Sequence, residues 1–515
     1  MSRRWATAGT SLYLALCLLP ALGSLPGGNP ALMVPNIRRG ELLWNTTLLG
    51  VITAILCSII GLLAAVRIFQ SRFRHSPLRW SFLLLAPVPA YVYALSWMQL
   101  IRLAGKLWPP LLRTQISGLL PCVLVETLCF LPFCTALALA GLERQDGRLV
   151  EAGLLCKSDD SVFWSVIFPS ITPMMLTGAG CVFVLSATDF SIPSLFQFNV
   201  YAMEPFSEFS ALGNSGDSFY LALPLILLSI LALLLIQPGL AQSTTPMRVP
   251  LPEPLRLSSG FKILSNIALG VCVLQICLPF LSLLLTMGTP AQMLRSLELA
   301  WTELLTSFQM GLLSAIITLP LSCGAAATLV RGEKGRPVLG TLLFFPLALP
   351  GALVGIGWLE LLNGSLLHAL TRTFFLPALG CASRFAPLAM LVMAGVLSRM
   401  DHRRIEAARL LQPRPGSGFL RVIVPMAAPG MLAAVLTVFL LTIGEVGAVL
   451  VLTPPGGSPI SIKIYNYLHY GASEQVSGFC LVQTVFCAAA MAVIMKLIAG
   501  RRERYAGSTK TDKTV

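Results

Sequence analysis

Four charged residues stand where a charge is expensive. Asp189, Glu445, Glu126 and Arg384 lie inside long apolar stretches. A charge held at membrane depth is costly enough to mark a site unless it is paired or close to an interface. Asp189 and Glu445 each follow a proline, Pro169 and Pro425, by 20 residues. A helix begun at each proline carries its carboxylate about 30 Å along, near an outer mouth. Two such carboxylates suit a polar path: they can attract a cation or meet a basic patch on another protein. The plain alternative is that polar residues cost little at an interface. Glu126 and Arg384 fall about one turn apart in depth once the chain is aligned with itself, which predicts an ion pair between two halves. The alternative is that each finds its own water or backbone partner.

Two polar loops raise a different kind of chemistry. "RLVEAGLLCKSDDSVFWSVIFP" runs from Arg148 to Pro169 and "RRIEAARLLQPRPGSGFLRVIVP" from Arg403 to Pro425. The head of the second, Glu406 to Leu411, consists of good helix formers. A Pro/Gly break follows, and Pro425 comes where the next helix should start, a position at which its missing N–H costs nothing. The spacing predicts a short helix across a membrane face, a turn, then a descent into the bilayer. No nucleophile–base pair accompanies it, so the element serves to transmit force. Taken alone, each loop also fits an ordinary solvated connection that anchors topology.

The surrounding elements follow from composition. The chain has 515 residues, 56% hydrophobic and 11% charged, with mean hydropathy +0.80. Soluble domains average about 25% charged residues, so an all-α polytopic membrane protein is expected, since lipid offers the backbone no hydrogen-bond partner. Apolar windows place about 12 spans, near 5–25, 42–68, 80–101, 116–141, 170–195 and 218–237, then 263–287, 306–330, 338–362, 375–398, 426–452 and 476–498. The net charge of +14 does not indicate nucleic acid, because the Lys and Arg gather in short loops. By the positive-inside rule both termini are cytoplasmic. One loop, 102–113, dissents with Arg102, Lys106 and Arg113. The basic, then apolar, N-terminus reads as a retained first span, with a cleaved signal peptide as the alternative. The 13 cysteines lack CxxC or Cys/His metal spacing and read as small hydrophobes.

Residues 237–262 carry prolines at 238, 246, 250, 252 and 254, which no continuous helix tolerates. The chain therefore divides into a first half at 1–239 with its loop at 142–169, a cytoplasmic linker at 240–262, a second half at 263–500 with its loop at 399–425, and a cytoplasmic tail at 501–515. The halves are repeats of six spans each. Pro89 aligns with Pro350, Trp97 with Trp358, Pro132 with Pro387, Glu151 with Glu406, Pro169 with Pro425 and Asp189 with Glu445. An even number of spans gives both halves the same orientation, unlike inverted repeats. Both loops then face the cytoplasm.

These paired passages resemble the EAA loops of membrane-spanning subunits of bacterial ATP-binding cassette (ABC) importers, and each half resembles one permease domain. The fused pair is similar to the ferric-iron importer permease group, with "FPLALPGALVGIGW" (345–358) and "GEVGAVLVLTPPGGSPISIKIYNYL" (444–468) as supporting matches. The resemblance implies that Glu151, Ala152 and Gly153 in the first loop, and Glu406, Ala407, Ala408 and Arg409 in the second, dock a separate cytoplasmic ATPase dimer that holds the ATP. An extracytoplasmic binding protein would deliver substrate, with ferric iron or another small cation or solute as cargo. The departures are specific. Lys157 and Gln412 replace the family glycine, and Gly153 replaces the second alanine. The first loop (142–168) has three basic and five acidic residues, net −2; the second (399–424) has six and two, net +4. Either the loops engage the ATPase unequally or they have drifted.

No G-x-x-x-x-G-K-[ST] phosphate loop occurs, so no ATP site, cofactor, metal or catalytic residue is expected in this chain. The expectation is a multi-pass permease in a bacterial inner membrane, surrounded by lipid and not itself an enzyme. The competing expectation is an ion-coupled secondary transporter, whose uptake survives loss of the ATPase and collapses with a protonophore. A membrane enzyme acting on lipid carriers needs a clustered acid or His site, and none is present.

Overall fold

The structure, a computed structural model, describes residues 3–71, 88–107, 117–237, 255–287, 289–331, 336–363, 367–400, 419–469 and 473–511. Among them there is no strand, and the protein is an all-α polytopic membrane protein. Among the described residues ten helices are long and apolar enough to cross a membrane, or up to 11 if one bent pair counts as a span.

In the first set, α1 (Arg3–Gly23) is followed by α2 (Ile37–Gln70), α3 (Ala90–Leu107) and α4 (Leu119–Glu143). A short helix α5 (Gly147–Leu154) leads to the long α6 (Asp159–Thr188), then α7 (Ser191–Leu195), α8 (Glu204–Leu212) and α9 (Ser215–Leu233). The second set repeats the order. It comprises α10 (Ser259–Met287), α11 (Pro290–Val330), α12 (Arg336–Phe344), α13 (Gly351–Asn363) and α14 (Phe375–Leu397). It closes with α15 (Val424–Ile443), α16 (Gly447–Leu452), α17 (Ile460–His469) and α18 (Ser473–Thr511).

Three expected spans take a different form. The stretch 338–362 is two helices, because Pro350 breaks the ladder and the chain bends by 92°. The stretches 170–195 and 426–452 each end early, at Thr188 and Ile443, and turn into the short α7 and α16. Residues 80–87 of the expected third span lie outside the described residues, and α3 supplies the rest. Helix α18 continues through Thr511, so most of the expected tail is helical.

Within each set the core is a triangle: α2, α4 and α6 pack together, as do α11, α14 and α15. The first helices are exchanged. α1 packs on α11 and α13 of the second set, and α10 packs on α2 and α3 of the first. Small residues make the α1–α11 contact close, as is usual where apolar surface alone gives helices no reason to meet. A Cβ on Gly9 would lie 3.0 Å from the Cα of Gly324. Polar side chains then fix the register: the Tyr13 hydroxyl donates to the Leu343 carbonyl at 2.7 Å, and Thr10 and Thr328 hydroxyls meet at 2.8 Å. On the other side, the Ser282 hydroxyl donates to the Ser96 carbonyl at 3.0 Å.

Candidate functional site

The first polar loop contains a short helix, α5. Asp146 caps it by accepting the Arg148 N–H at 3.2 Å, which supplies one of the bonds a helix start lacks. Glu151 and Ala152 are exposed and Gly153 is half-buried. The exposed apolar side chains Leu149 and Leu155, 56% and 89% accessible, lie on the same short element. Its inner side rests on Val150, which packs with Val66, Leu142, Val162 and Phe163. A Cβ on Gly153 would sit 3.3 Å from the Val162 side chain, so the residue there must be small.

The long apolar helix that follows each loop carries its proline where expected, with an added feature. Pro169 and Pro425 each lie in the first turn of a helix. Each is preceded by a π-turn, Phe163–Ile167 and Phe419–Ile423. A proline withholds one N–H and crowds the preceding turn. A single wider turn accommodates both effects: the Phe168 N–H reaches back to the Phe163 carbonyl.

Glu406, Ala407, Ala408 and Arg409 lie outside the described residues, but both flanks of their loop are described. Arg144, at the end of α4, donates to the Ser398 hydroxyl at 3.3 Å. Burial, followed by the like charge of Arg399, pulls the Arg144 guanidinium down to about 10. Arg144 and Arg399 are equivalent positions in the two sets. The two loops therefore leave the molecule side by side on one face.

The four candidate charges, three of them buried and Asp189 half-buried, assemble differently from the expectation. Arg384 on α14 pairs with Glu445, just past the end of α15. It does not pair with Glu126, so the expected Glu126–Arg384 bridge is corrected. Equivalent depth along α4 and α14 does not specify which sides of the helices meet. Glu445 also accepts the Ala448 N–H at 3.0 Å, capping α16. The pair fits only because residue 351 is glycine: a Cβ there would lie 2.1 Å from the Arg384 guanidinium and 2.7 Å from the Glu445 carboxylate. Both partners are at most 8% exposed, and nine residues separate Phe375, the far end of α14, from Arg384. The pair thus lies about 14 Å inside that end, not at a mouth.

Asp189 solves the same backbone problem locally. It accepts the Ser191 hydroxyl at 2.7 Å and the Ser191 and Ile192 N–H groups at 3.2 Å, capping α7. Glu126 is fully buried on α4, where the Ser186 and Thr53 hydroxyls donate to one carboxylate oxygen. Its other oxygen has no hydrogen-bond partner. The residue after Asp189, Phe190, reaches across to the second set: a Cβ on Gly447 would lie 3.3 Å from its ring. α7 and α16 therefore meet near the junction of the sets.

On the face away from α5 a cavity of about 620 Å³ opens above this junction. Phe190 and Ser191 line it from α7, with Tyr91, Gln197, Glu204 and Tyr465 around them. Gln197 adopts φ 54°, a conformation unusual for a residue with a side chain. Below it, the Tyr91 hydroxyl donates to Gln483 at 2.6 Å, and Gln483 donates to the Ile443 carbonyl at 3.1 Å, tying α3 to α18 and α15. Among the described residues no group of three or more His, Cys, Asp or Glu is arranged to hold a metal ion. Gly351, Ser186 and the α7–α16 contact had not been singled out from sequence. The "PGAL" break before α13 is the one signal that marks a close approach there.

Comparison with known proteins places these features. Residues 319–504 match the family model described as binding-protein-dependent transport system inner membrane component. The chain is 23% identical over 461 residues to the Fe(3+)-transport system permease protein FbpB 2 of Haemophilus influenzae, covering 87% of this chain and 88% of that protein. It is 31% identical over 212 residues to a probable molybdenum ABC transporter permease of Haloferax volcanii, covering 39% of this chain and 78% of that protein. It is 27% identical over 206 residues to a putative 2-aminoethylphosphonate transport system permease of Salmonella typhimurium, covering 38% and 74%.

Proposed function

The chain belongs to the family of inner membrane components of binding-protein-dependent transport systems, the ABC importer permeases, and we propose that it forms the substrate path of an ATP-driven importer as a fused pair of permease domains. The family is a multi-pass inner-membrane one, and its members are permeases, not catalysts. In our reading the α5 face is cytoplasmic, both termini lie there, and the halves 1–239 and 263–500 joined by 240–262 act as two domains. Glu151, Ala152 and Gly153 engage one subunit of a separate ATPase pair. Glu406, Ala407, Ala408 and Arg409 engage the other. An extracytoplasmic binding protein delivers cargo to the opposite face, over the 620 Å³ cavity.

The observation that carries this reading is the common root of the two loops: Arg144 and Ser398, which end α4 and α14, are hydrogen-bonded to each other at 3.3 Å. Approach of two ATPase subunits therefore acts on adjacent points. α5 is separated from α6 by four residues and α6 is continuous to Thr188, so displacement of α5 reaches Asp189 and α7 at the cavity floor. A rigid helix conveys such a push because its packed core is bistable and does not deform continuously. Ferric iron is the cargo we assign, on the length of the match to the iron permease and on the two carboxylates beside the path.

The test is uptake and ATP hydrolysis in proteoliposomes carrying the chain with its ATPase and binding protein. Reversing both lever charges, Glu151→Arg with Glu406→Arg, is expected to abolish substrate-stimulated hydrolysis and uptake together. Uptake that persists without the ATPase and collapses with a protonophore overturns the reading in favour of ion coupling. Competition among ferric iron, molybdate and 2-aminoethylphosphonate tests the cargo separately.

A further inference from the structure

The segment joining the two sets is built into the first coupling loop at its C-terminal end. Asp159, in the first turn of α6, accepts the Arg256 backbone N–H at 2.5 Å, and Asp160 accepts that of Ser258 at 3.0 Å. The Gln70 side-chain amide, at the end of α2, donates to the Leu255 carbonyl at 3.3 Å. Leu257 is 3% exposed and packs in one cluster with Val150 of α5, Val162 and Phe163 of α6, and Val66 of α2. Two residues into α10, the Phe261 ring lies 5.1 Å from that of Phe163. Four elements thus converge on four residues of a stretch whose composition reads as a tether.

These contacts are of the kind that fixes position. Extended backbone needs partners for its N–H groups when it leaves water, and ionised carboxylates make the stronger class of such bonds. A passive tether needs neither a buried leucine nor a pair of acids aimed at its backbone. The second loop has Pro415 and Gly416 where the first has Asp159 and Asp160, so the acidic pair belongs to the first loop alone.

We propose that residues 255–258 are a brace that joins α5, the start of α6 and the start of α10 into one rigid body. A push on the first lever is then delivered to α10, and through α10 to α3 and α18, against which it packs. The joining segment is in this way a working part of the coupling route. The inference rests on the reading that α5 docks an ATPase subunit, and it goes beyond that reading by naming how the force leaves α5.

The experiment uses the full chain in complex with its copurifying ATPase subunit. Spin labels are placed at Arg148→Cys and Gly260→Cys, both exposed positions outside the docking residues, and the exposed Cys156 and Cys277 are replaced by serine. Around Gly260 nothing lies within 4 Å of an added Cβ. The label-to-label distance is expected to stay constant between the nucleotide-free and vanadate-trapped states. In Asp159→Ala/Asp160→Ala it is expected to shift and broaden, with substrate-stimulated hydrolysis down about tenfold. Asp159→Asn/Asp160→Asn keeps acceptor oxygens and is expected to restore both. If the alanine variant does not fold, the distance in the unaltered loop decides alone. A distance that changes by several ångströms on trapping overturns the brace while leaving the docking reading intact. An ATPase subunit that does not associate with the chain at all overturns the docking reading and the brace with it.

Discussion

The first and second sets share a backbone plan and differ in how they neutralise the same acid. Asp189 and Glu445 occupy equivalent breaks after α6 and α15. Asp189 uses a neighbouring serine and two N–H groups. Glu445 uses one N–H and Arg384 from another helix. The first set has Cys129 where the second has Arg384, and Ala90 where the second has Gly351. Guanidinium and glycine thus came as a unit, since the arginine fits only where a Cβ is missing. A duplicated frame preserves where a charge sits far more readily than what neutralises it. The loops repeat the lesson: the first is braced by the joining segment and acidic, the second basic and closer to the family pattern. The match to the family model, too, lies in the second set.

The sharpest way to break this comparison is to remove Arg384. Arg384→Met leaves Glu445 buried without a cation, and breaking such a pair costs about 3–5 kcal/mol. Thermal unfolding in detergent should show that loss, the double variant Arg384→Met/Glu445→Gln should recover most of it, and Cys129→Met should cost much less. Equal effects at 384 and 129 mean that the sets do not differ here. Coupling comes next. Glu406→Arg is expected to lower substrate-stimulated ATP hydrolysis about a hundredfold and Glu151→Arg about fivefold, the two ends of ordinary coupling free energies; equal losses make the loops equivalent. Gly351→Ala should destabilise by about 1–3 kcal/mol through overpacking against Arg384. Ala90→Gly in the first set should cost under about 1 kcal/mol, both read from unfolding curves. The smallest effect belongs to Glu126→Gln. It keeps an acceptor for Ser186 and Thr53 and adds no charge, so a change below about 1 kcal/mol and unaltered uptake are expected. A large loss of uptake there assigns Glu126 to the path.

What sequence could reach is visible in the prolines. Pro169 and Pro425 mark where a regular α-helix takes over from a π-turn, and the equivalence of Asp189 with Glu445 survives in three dimensions, because proline and register are properties of the chain itself. The partner of Arg384 was out of reach. It depends on how α14 and α15 are rotated about their axes, and alignment along the chain carries no such angle. The exchange of α1 and α10 was equally hidden. In lipid an apolar stripe looks alike toward a neighbour and toward acyl chains, so only contacts such as Gly9 with Gly324 reveal the pairing. The joining segment misled for another reason. Its prolines, 238–254, lie outside the described residues, and the alternating Leu255 and Leu257 that follow are too short a pattern to stand out.

The exchange of first helices sets a timetable for biosynthesis. α1 leaves the ribosome well before its partners α11 and α13, which begin only at Pro290 and Gly351. At translation speeds of about 5–20 residues per second, α1 waits roughly 15–60 s beside nothing it is shaped to hold. Throughout that interval its Gly9 face must be shielded by lipid or by an insertion chaperone. A chain severed in the joining segment would strand each first helix on the wrong product. Carrying both halves on a single message guarantees that the missing partner always arrives.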